Sequence, residues 1–191
     1  MLPWHTLESN SIVNDRWLKL TADRCRLPDG KVLEPYYVFH DHDWVHVFAQ
    51  APDGRVLVVR QYRYAVGTVC VELPGGVVDR GESPLAAAQR ELLEETGHTA
   101  SEWKSVGRMY ANPARQTNSI HIFLAHDLIQ SAEQDLDESE NIEFEFVSIP
   151  ELHRMVERNQ FSQALHTASF YRSLRALESL PDGAAQVAPP K

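Results

Sequence analysis

Four glutamates and an arginine share one short stretch, GVVDRGESPLAAAQRELLEETGH at residues 76–98, and any fold for this chain has to accommodate them. On a helix, Glu91, Glu94 and Glu95 fall three and four positions apart and share a face. Like charges at those spacings repel by about 0.2–0.5 kcal/mol per pair, even on an open surface. A solvated face is the usual fate of an acidic helix. A hard divalent cation with oxygen ligands turns the same repulsion into a binding site, and Mg²⁺ suits such a donor set.

Local signals delimit this helix. Ser83 is placed to cap its N-terminus, Pro84 suits the first turn, and Gly97 closes the C-terminus. Leu85, Ala88 and Leu92 form the apolar stripe expected to dock on a core. Ahead of it, Pro74-Gly75-Gly76 lets the backbone approach an ion or a phosphate closely.

The spacing is specific. Gly76, then Glu82, then Arg90-Glu91-Leu92-Leu93-Glu94-Glu95-Thr96-Gly97 resembles the Nudix box of nucleoside-diphosphate-linked hydrolases. His98 departs from the pattern, which prefers an aliphatic residue there, and that position concerns packing after the helix. The resemblance implies an α/β (α+β) Nudix fold, a mixed β-sheet sandwiched between helices with an N-terminal antiparallel β extension. The extension is expected over residues 1–45, where it commonly helps build a homodimer. A hydrolase domain is expected over residues 46–180, and a disordered tail rich in Pro, Ala and Gly over residues 181–191.

At 191 residues the chain can bury a substantial core. A net charge of −9 argues against a general nucleic-acid or anionic-membrane binder. A polyanionic substrate remains compatible, because a metal site reverses the local field. Cys25 and Cys70 give neither a disulfide framework nor zinc spacing and read as buried free thiols. No secretory signal and no apolar run of spanning length is visible, so a cytoplasmic protein is expected.

Strands broken by turns are expected over residues 11–50. Pro28-Asp29-Gly30 separates a run ending at Leu27 from Val32–Phe39, and Pro52-Asp53-Gly54 separates Trp44–Gln50 from residues 56–61. Further strands are expected at 102–110, 119–126 and 144–149, with a short helix at 150–158. A last helix capped by Ser162 would carry Leu165, Ala168, Tyr171, Leu174 and Leu177 along one side.

Outside the box, Arg60-Gln61-Tyr62-Arg63-Tyr64 and Val71-Glu72-Leu73-Pro74-Gly75-Gly76 are similar to stretches of ADP-ribose and sugar-nucleotide hydrolases in this family. Arg63 suits a diphosphate oxygen and Glu72 the donors of a base or ribose; a surface ion pair and a strand-end carboxylate are the plain alternatives. Arg115, in the loop Asn112-Pro113-Ala114-Arg115-Gln116-Thr117-Asn118, is a further phosphate or sugar candidate, and a loop without function accounts for it equally well. That loop departs from the Pro-Gly turn of ADP-ribose hydrolases. Tyr36, Tyr37 or Phe39 are aromatic enough to stack on a purine, with core packing the plainer reading. His40-Asp41-His42-Asp43 reads as surface or turn residues rather than a metal cluster.

The resemblance implies Mg²⁺-dependent hydrolysis, with Mn²⁺ as a substitute, of a nucleoside diphosphate linked to another moiety. ADP-ribose, giving AMP and ribose 5-phosphate, is the leading substrate. By the same resemblance Glu91, Glu95, Glu94 and the Gly75 carbonyl ligate metal, Glu82 supports the cluster from its edge, and Arg90 orients the glutamates. Glu138, and after it Glu140, matches the loop glutamate that serves as general base. The alternatives are a nucleotide sugar such as GDP-mannose, a dinucleoside polyphosphate or coenzyme A, and a non-catalytic module that senses ADP-ribose.

Overall fold

Turn chemistry and strand alternation generate the architecture of the computed structural model, which describes residues 1–138 and 140–178. The expected disordered tail, residues 181–191, lies outside the described residues. Contacts divide the chain into two compact units, Met1–Asp43 with Met109–Ile120, and Trp44–Arg108 with His121–Lys191.

In the first unit, β1 (His5–Asn14), β2 (Lys19–Arg26) and β3 (Val32–Phe39) form an antiparallel meander. The turn between β2 and β3 closes with Leu27 N–H on Lys31 O at 2.8 Å. Three residues of the histidine–aspartate run that follows make bonds within this unit. His40 Nε2 lies 3.0 Å from Thr21 Oγ1, Asp41 accepts from Gln116 Nε2 at 2.9 Å, and Asp43 accepts the Ser119 N–H at 2.8 Å. Tyr36 packs edge-on against Trp4 and donates its hydroxyl to Ala114 O.

The second unit is layered by alternation along β4 (Trp44–Gln50) and β5 (Val56–Arg63). Val45, Val47, Ala49, Leu57 and Val59 join a core with Ala87, Ala88 and Leu92 of α1 (Pro84–Thr96). Phe48, Val56 and Val58 join a second core with Leu152 and Met155 of α2 (Ile149–Glu157) and Phe170 of α3 (Ala164–Glu178). Side chains of successive strand residues point to opposite faces, so the sheet carries helices on both. Its order is β6 (Thr68–Glu72), β5, β4, β8 (Ser119–Gln130), β7 (His98–Tyr110), and β9 (Ile142–Val147) pairs antiparallel with β5. This is the mixed α/β sandwich that the box implied.

Two helix faces differ from expectation. Leu85 stays 39% exposed, and the buried stripe of α1 starts at Ala87 and Ala88 and ends on Glu95 and Thr96. In α3 the buried residues are His166, Ser169, Phe170 and Ser173, while Ala168 and Tyr171 are exposed. Apolar periodicity overlooks polar side chains that are buried because they find partners, as Ser169 does with His46 at 2.8 Å. The cap also moves: Gln163 Oε1, not Ser162, accepts from the N–H groups of Leu165 and His166, at 2.6 and 3.1 Å. Cys25 and Cys70 are buried free thiols. His98 is a satisfied core residue, its Nδ1 2.7 Å from Thr96 O and its ring edge-on to Phe144 and Phe146.

Candidate active site

The box helix is held at both ends by the expected signals. Ser83 Oγ accepts the Ala86 N–H at 3.1 Å, Pro84 opens the first turn, and Gly97 in the left-handed region returns its N–H to Leu93 O at 2.7 Å. The glycine loop runs beside β4: Val47 N–H bonds Pro74 O and Val45 N–H bonds Gly76 O, each at 2.8 Å. Strand alternation then turns Gly75 the other way, toward α1, where its N–H donates to Glu95 Oε2 at 2.9 Å. A Cβ on Gly76 would lie 2.4 Å from Glu91 Oε1, so a side chain there would displace the Glu91 carboxylate.

Arg90 organises the other carboxylates. Its Nε and Nη2 grip Glu82, both at 3.1 Å, while Nη1 donates to Glu91 and Glu94, both at 2.9 Å, and Nη2 also reaches Val77 O at 2.9 Å. The Glu82 bond is the largest cause raising the Arg90 pKa, and Arg90 is the largest cause lowering that of Glu82. Glu82, expected at the edge of a metal cluster, is thus engaged in a two-pronged pair with Arg90.

Glu91 shares Arg90 with two other carboxylates, and Glu95 is buried with the Gly75 N–H on one of its oxygens. Burial is the main cause lifting the Glu95 carboxyl well above the ordinary range; the Gly75 bond opposes it, and the charges of Glu91 and Glu140 add to it. Burial also raises Glu91, against the pull of Arg90 and with a push from Glu94 and Glu140. Among the described residues, no group of three or more His, Cys, Asp and Glu side chains closes around an ion by itself. A small hard cation that keeps several waters needs only one or two carboxylates and a carbonyl. Buried Glu95 and half-buried Glu91, which shares Arg90 with Glu82 and Glu94, fit that requirement beside the glycine loop.

The acidic loop contributes unequally. Glu140 is half-buried and its charge reaches both Glu91 and Glu95, whereas Glu138 is exposed. Glu140 is braced within its own turn, its N–H on Asp137 O at 2.9 Å and its carboxylate on Asp137 N–H at 3.2 Å.

Arg63 and Glu72, assigned separately from the sequence, bond each other. Arg63 Nε and Nη2 meet the two Glu72 oxygens at 3.2 and 2.5 Å, across neighbouring strands β5 and β6. Glu72 is only 2% exposed. Behind it lies His166 of α3, whose Nδ1 accepts the Leu73 N–H at 3.1 Å and whose Nε2 lies 3.6 Å from Glu72. His46 of β4 stacks on His166 with ring centroids 3.7 Å apart. Burial, then the Arg63 charge, brings the His166 pKa down to about 3, and burial holds His46 well below its usual value, so the stack is neutral. No motif in the sequence marks either histidine. Arg115 lies in the first unit, in a turn where its N–H bonds Asn112 O at 2.9 Å and its carbonyl accepts the Phe39 N–H at 2.8 Å.

Comparison with known proteins bears on this arrangement. The model of the nucleoside diphosphate sugar hydrolase N-terminal domain matches residues 4–39, and that of the NUDIX domain matches residues 40–168. An ADP-ribose pyrophosphatase of Bacillus subtilis is 31% identical over 176 residues, 92% of this chain and 94% of that protein. An ADP-ribose pyrophosphatase of Mycobacterium tuberculosis is 28% identical over 188 residues, 97% of this chain and 88% of that protein. A crystal structure of an ADP compounds hydrolase shares the fold, with a TM-score of 0.84 over 93% of this chain and 96% of that one at 19% identity. With every glutamate of the box kept, this chain belongs to the Nudix family and is a Nudix pyrophosphohydrolase.

Proposed function

We propose that the protein hydrolyses the diphosphate bond of ADP-ribose to AMP and ribose 5-phosphate in a Mg²⁺-dependent reaction, with Mn²⁺ able to substitute. The observation that carries this reading is the meeting of Glu95, buried and accepting the Gly75 N–H, with Glu91, half-buried against Gly76 and sharing Arg90 with Glu82 and Glu94. Similarity to two ADP-ribose pyrophosphatases over nearly the whole chain supports the substrate.

Glu91, Glu95 and the Gly75 carbonyl would hold the ion, with Glu94 beside them. When bound, a divalent cation neutralises diphosphate oxygens and acts as a Lewis acid on them. Arg90 fixes the carboxylates, clamping Glu82 with one edge and reaching Glu91 and Glu94 with the other. Arg63 keeps its guanidinium about half exposed while pairing Glu72, which leaves N–H donors for a diphosphate oxygen. Glu72 then acts through Arg63 rather than on a base or ribose directly, because its carboxylate is buried. Glu140 is the general base that takes the proton of the attacking water, in preference to Glu138; such a base contributes about 10²–10⁴-fold. Replacing it, as Glu140→Gln, should lower kcat by that range, while Glu138→Gln stays within a few-fold of the parent.

A nucleotide sugar such as GDP-mannose is the second reading, favoured by the N-terminal domain match. The extension also supports a homodimer: Trp4, Leu7, Ile12, Trp17, Val32 and Leu33 are exposed apolar side chains on or beside its strands. Light scattering on a sizing column tests that directly. The deciding experiment incubates purified protein with Mg²⁺ and ADP-ribose, ADP-glucose, GDP-mannose, NADH or a dinucleoside polyphosphate, and resolves the products. AMP and ribose 5-phosphate in clear preference supports the proposal. Faster turnover of another compound moves specificity to the loop at residues 112–118, and binding of ADP-ribose without turnover rejects catalysis.

A further inference from the structure

The stretch that carries Glu140 leaves β8 and returns to β9, and four bonds tie its near end to the box helix. Ser131 N–H and Ala132 N–H both donate to Gly97 O, at 2.9 and 3.1 Å. Asp135 N–H donates to Glu94 O at 2.9 Å. Gln134 Nε2 donates to Glu95 O at 2.5 Å and also to Ile142 O at 3.1 Å. A primary amide has two N–H donors, and Gln134 spends both on backbone carbonyls that belong to different elements.

These two carbonyls matter for where they sit. Glu95 is in the last turn of α1 and carries a buried carboxylate of the site, and its carbonyl is among those a helix C-terminus leaves without an intrahelical partner. Ile142 is the first residue of β9, which is fixed by pairing with Gln61 of β5. Gln134 therefore joins the two rigid points between which the Asp137–Glu140 turn is slung. Leu136 packs against the α1 core just beyond it. Close approach is needed as well: a Cβ on Gly97 would lie 2.3 Å from Ala132 O, so the glycine that ends the helix also admits the loop.

We infer that Gln134 is a positioning residue for catalysis, holding the loop so that Glu140 faces Glu91 and Glu95; this rests on the reading of Glu140 as general base. No sequence motif points to it. Its action is through the loop, with no contact to substrate.

The test combines kinetics with amide hydrogen exchange on the full chain. Gln134→Ala and Gln134→Glu remove the donors, the second at nearly constant size. Both should lower kcat about tenfold or more, since a misplacement near 1 Å costs up to about 10²-fold. KM should change less than about threefold, because substrate binding is left alone. Peptides spanning residues 131–141 should exchange faster, with those of α1 unchanged, in the presence and absence of Mg²⁺. In a Glu140→Gln background, Gln134→Ala should cost less than about twofold, since the group it positions is gone. A kcat within twofold of the parent for both variants overturns the inference, as does a full tenfold loss repeated in the Glu140→Gln background. Should Glu140→Gln itself keep the parent rate, the base assignment fails. The inference about Gln134 is then decided by exchange and kcat together: faster exchange with a lower kcat sustains a positioning role, and either one unchanged rejects it.

Discussion

Glu72 and Glu95 are nearly equally buried, 2% and 5% exposed, and their surroundings are opposite. Glu72 meets both nitrogens of the Arg63 fork on the neighbouring strand and has a neutral histidine stack behind it. Glu95 has one backbone N–H, from Gly75, and faces the carboxylates of Glu91 and Glu140. A buried charge is costly unless it is paired. At Glu72 the chain supplies the pairing cation itself. At Glu95 it withholds one, and that is the deficit the proposed divalent cation would fill. Arg90, which might have supplied it, is drawn toward Glu82 by a two-pronged pair and gives Glu91 only one N–H.

The largest effect that sharpens this contrast is on turnover. Glu95→Gln keeps an acceptor for Gly75 N–H but loses the charge, and kcat should fall by at least about a thousandfold, the several kcal/mol that metal assistance supplies. Stabilisation of the protein by Mg²⁺ in a thermal melt should disappear with it. Retained turnover, or an unchanged Mg²⁺ shift, breaks the contrast.

Next is stability. Arg63→Met strands the Glu72 carboxylate, and the cost should be about 1–3 kcal/mol, below that of a fully buried pair because Arg63 is half exposed. Denaturant midpoints at constant slope measure it. Arg63→Met combined with Glu72→Gln should recover part of the loss, because the stranded charge is removed. Equal stability of Arg63→Met and the parent would mean that Glu72 needs no cation.

The smallest effect is a pH dependence in metal-free protein. The Glu91 and Glu95 pKa values are raised above an unfolded value near 4.3, so the native state binds more protons above that pH. Their contribution to stability therefore declines as pH rises through that window. His46 and His166, lowered in the fold, act in the other direction up to about pH 6.5. The histidines cancel when variant and parent are compared. Glu95→Gln should melt above the parent without metal, by about 2–4 °C per kcal/mol of relieved repulsion, and the gap should widen from pH 5 to pH 8. A gap that is flat or reversed would show that Glu95 is not strained by its neighbours.

What was legible in the sequence was local. The box helix came with Ser83, Pro84 and Gly97, whose signals act within a turn of themselves, and with glutamate spacing that has meaning on any helix. The turn at Pro28-Asp29-Gly30 and the strand after it, Val32–Phe39, were read for the same reason. The α3 face was legible only in part: Leu174 and Leu177 pack against the core, but its buried stripe is His166, Ser169, Phe170 and Ser173, three of them polar side chains that apolar periodicity discounts. Arg63 and Glu72 were singled out as separate ligand candidates, and their bond became visible only with β5 beside β6.

The sequence by itself determined the chemistry: carboxylates at fixed spacing on a capped helix, preceded by a glycine turn, in the pattern of a Nudix hydrolase. Tertiary structure alone decided how each carboxylate is paired. It brought the charge of Glu140 to bear on Glu91 and Glu95, brought His166 from α3 to the strand end before the glycine loop, and bridged Glu95 to Ile142 through Gln134. The reason is range. Caps and helix spacings act over a few residues, whereas burial, charge pairing and shared hydrogen bonds depend on which distant segments the packing makes neighbours.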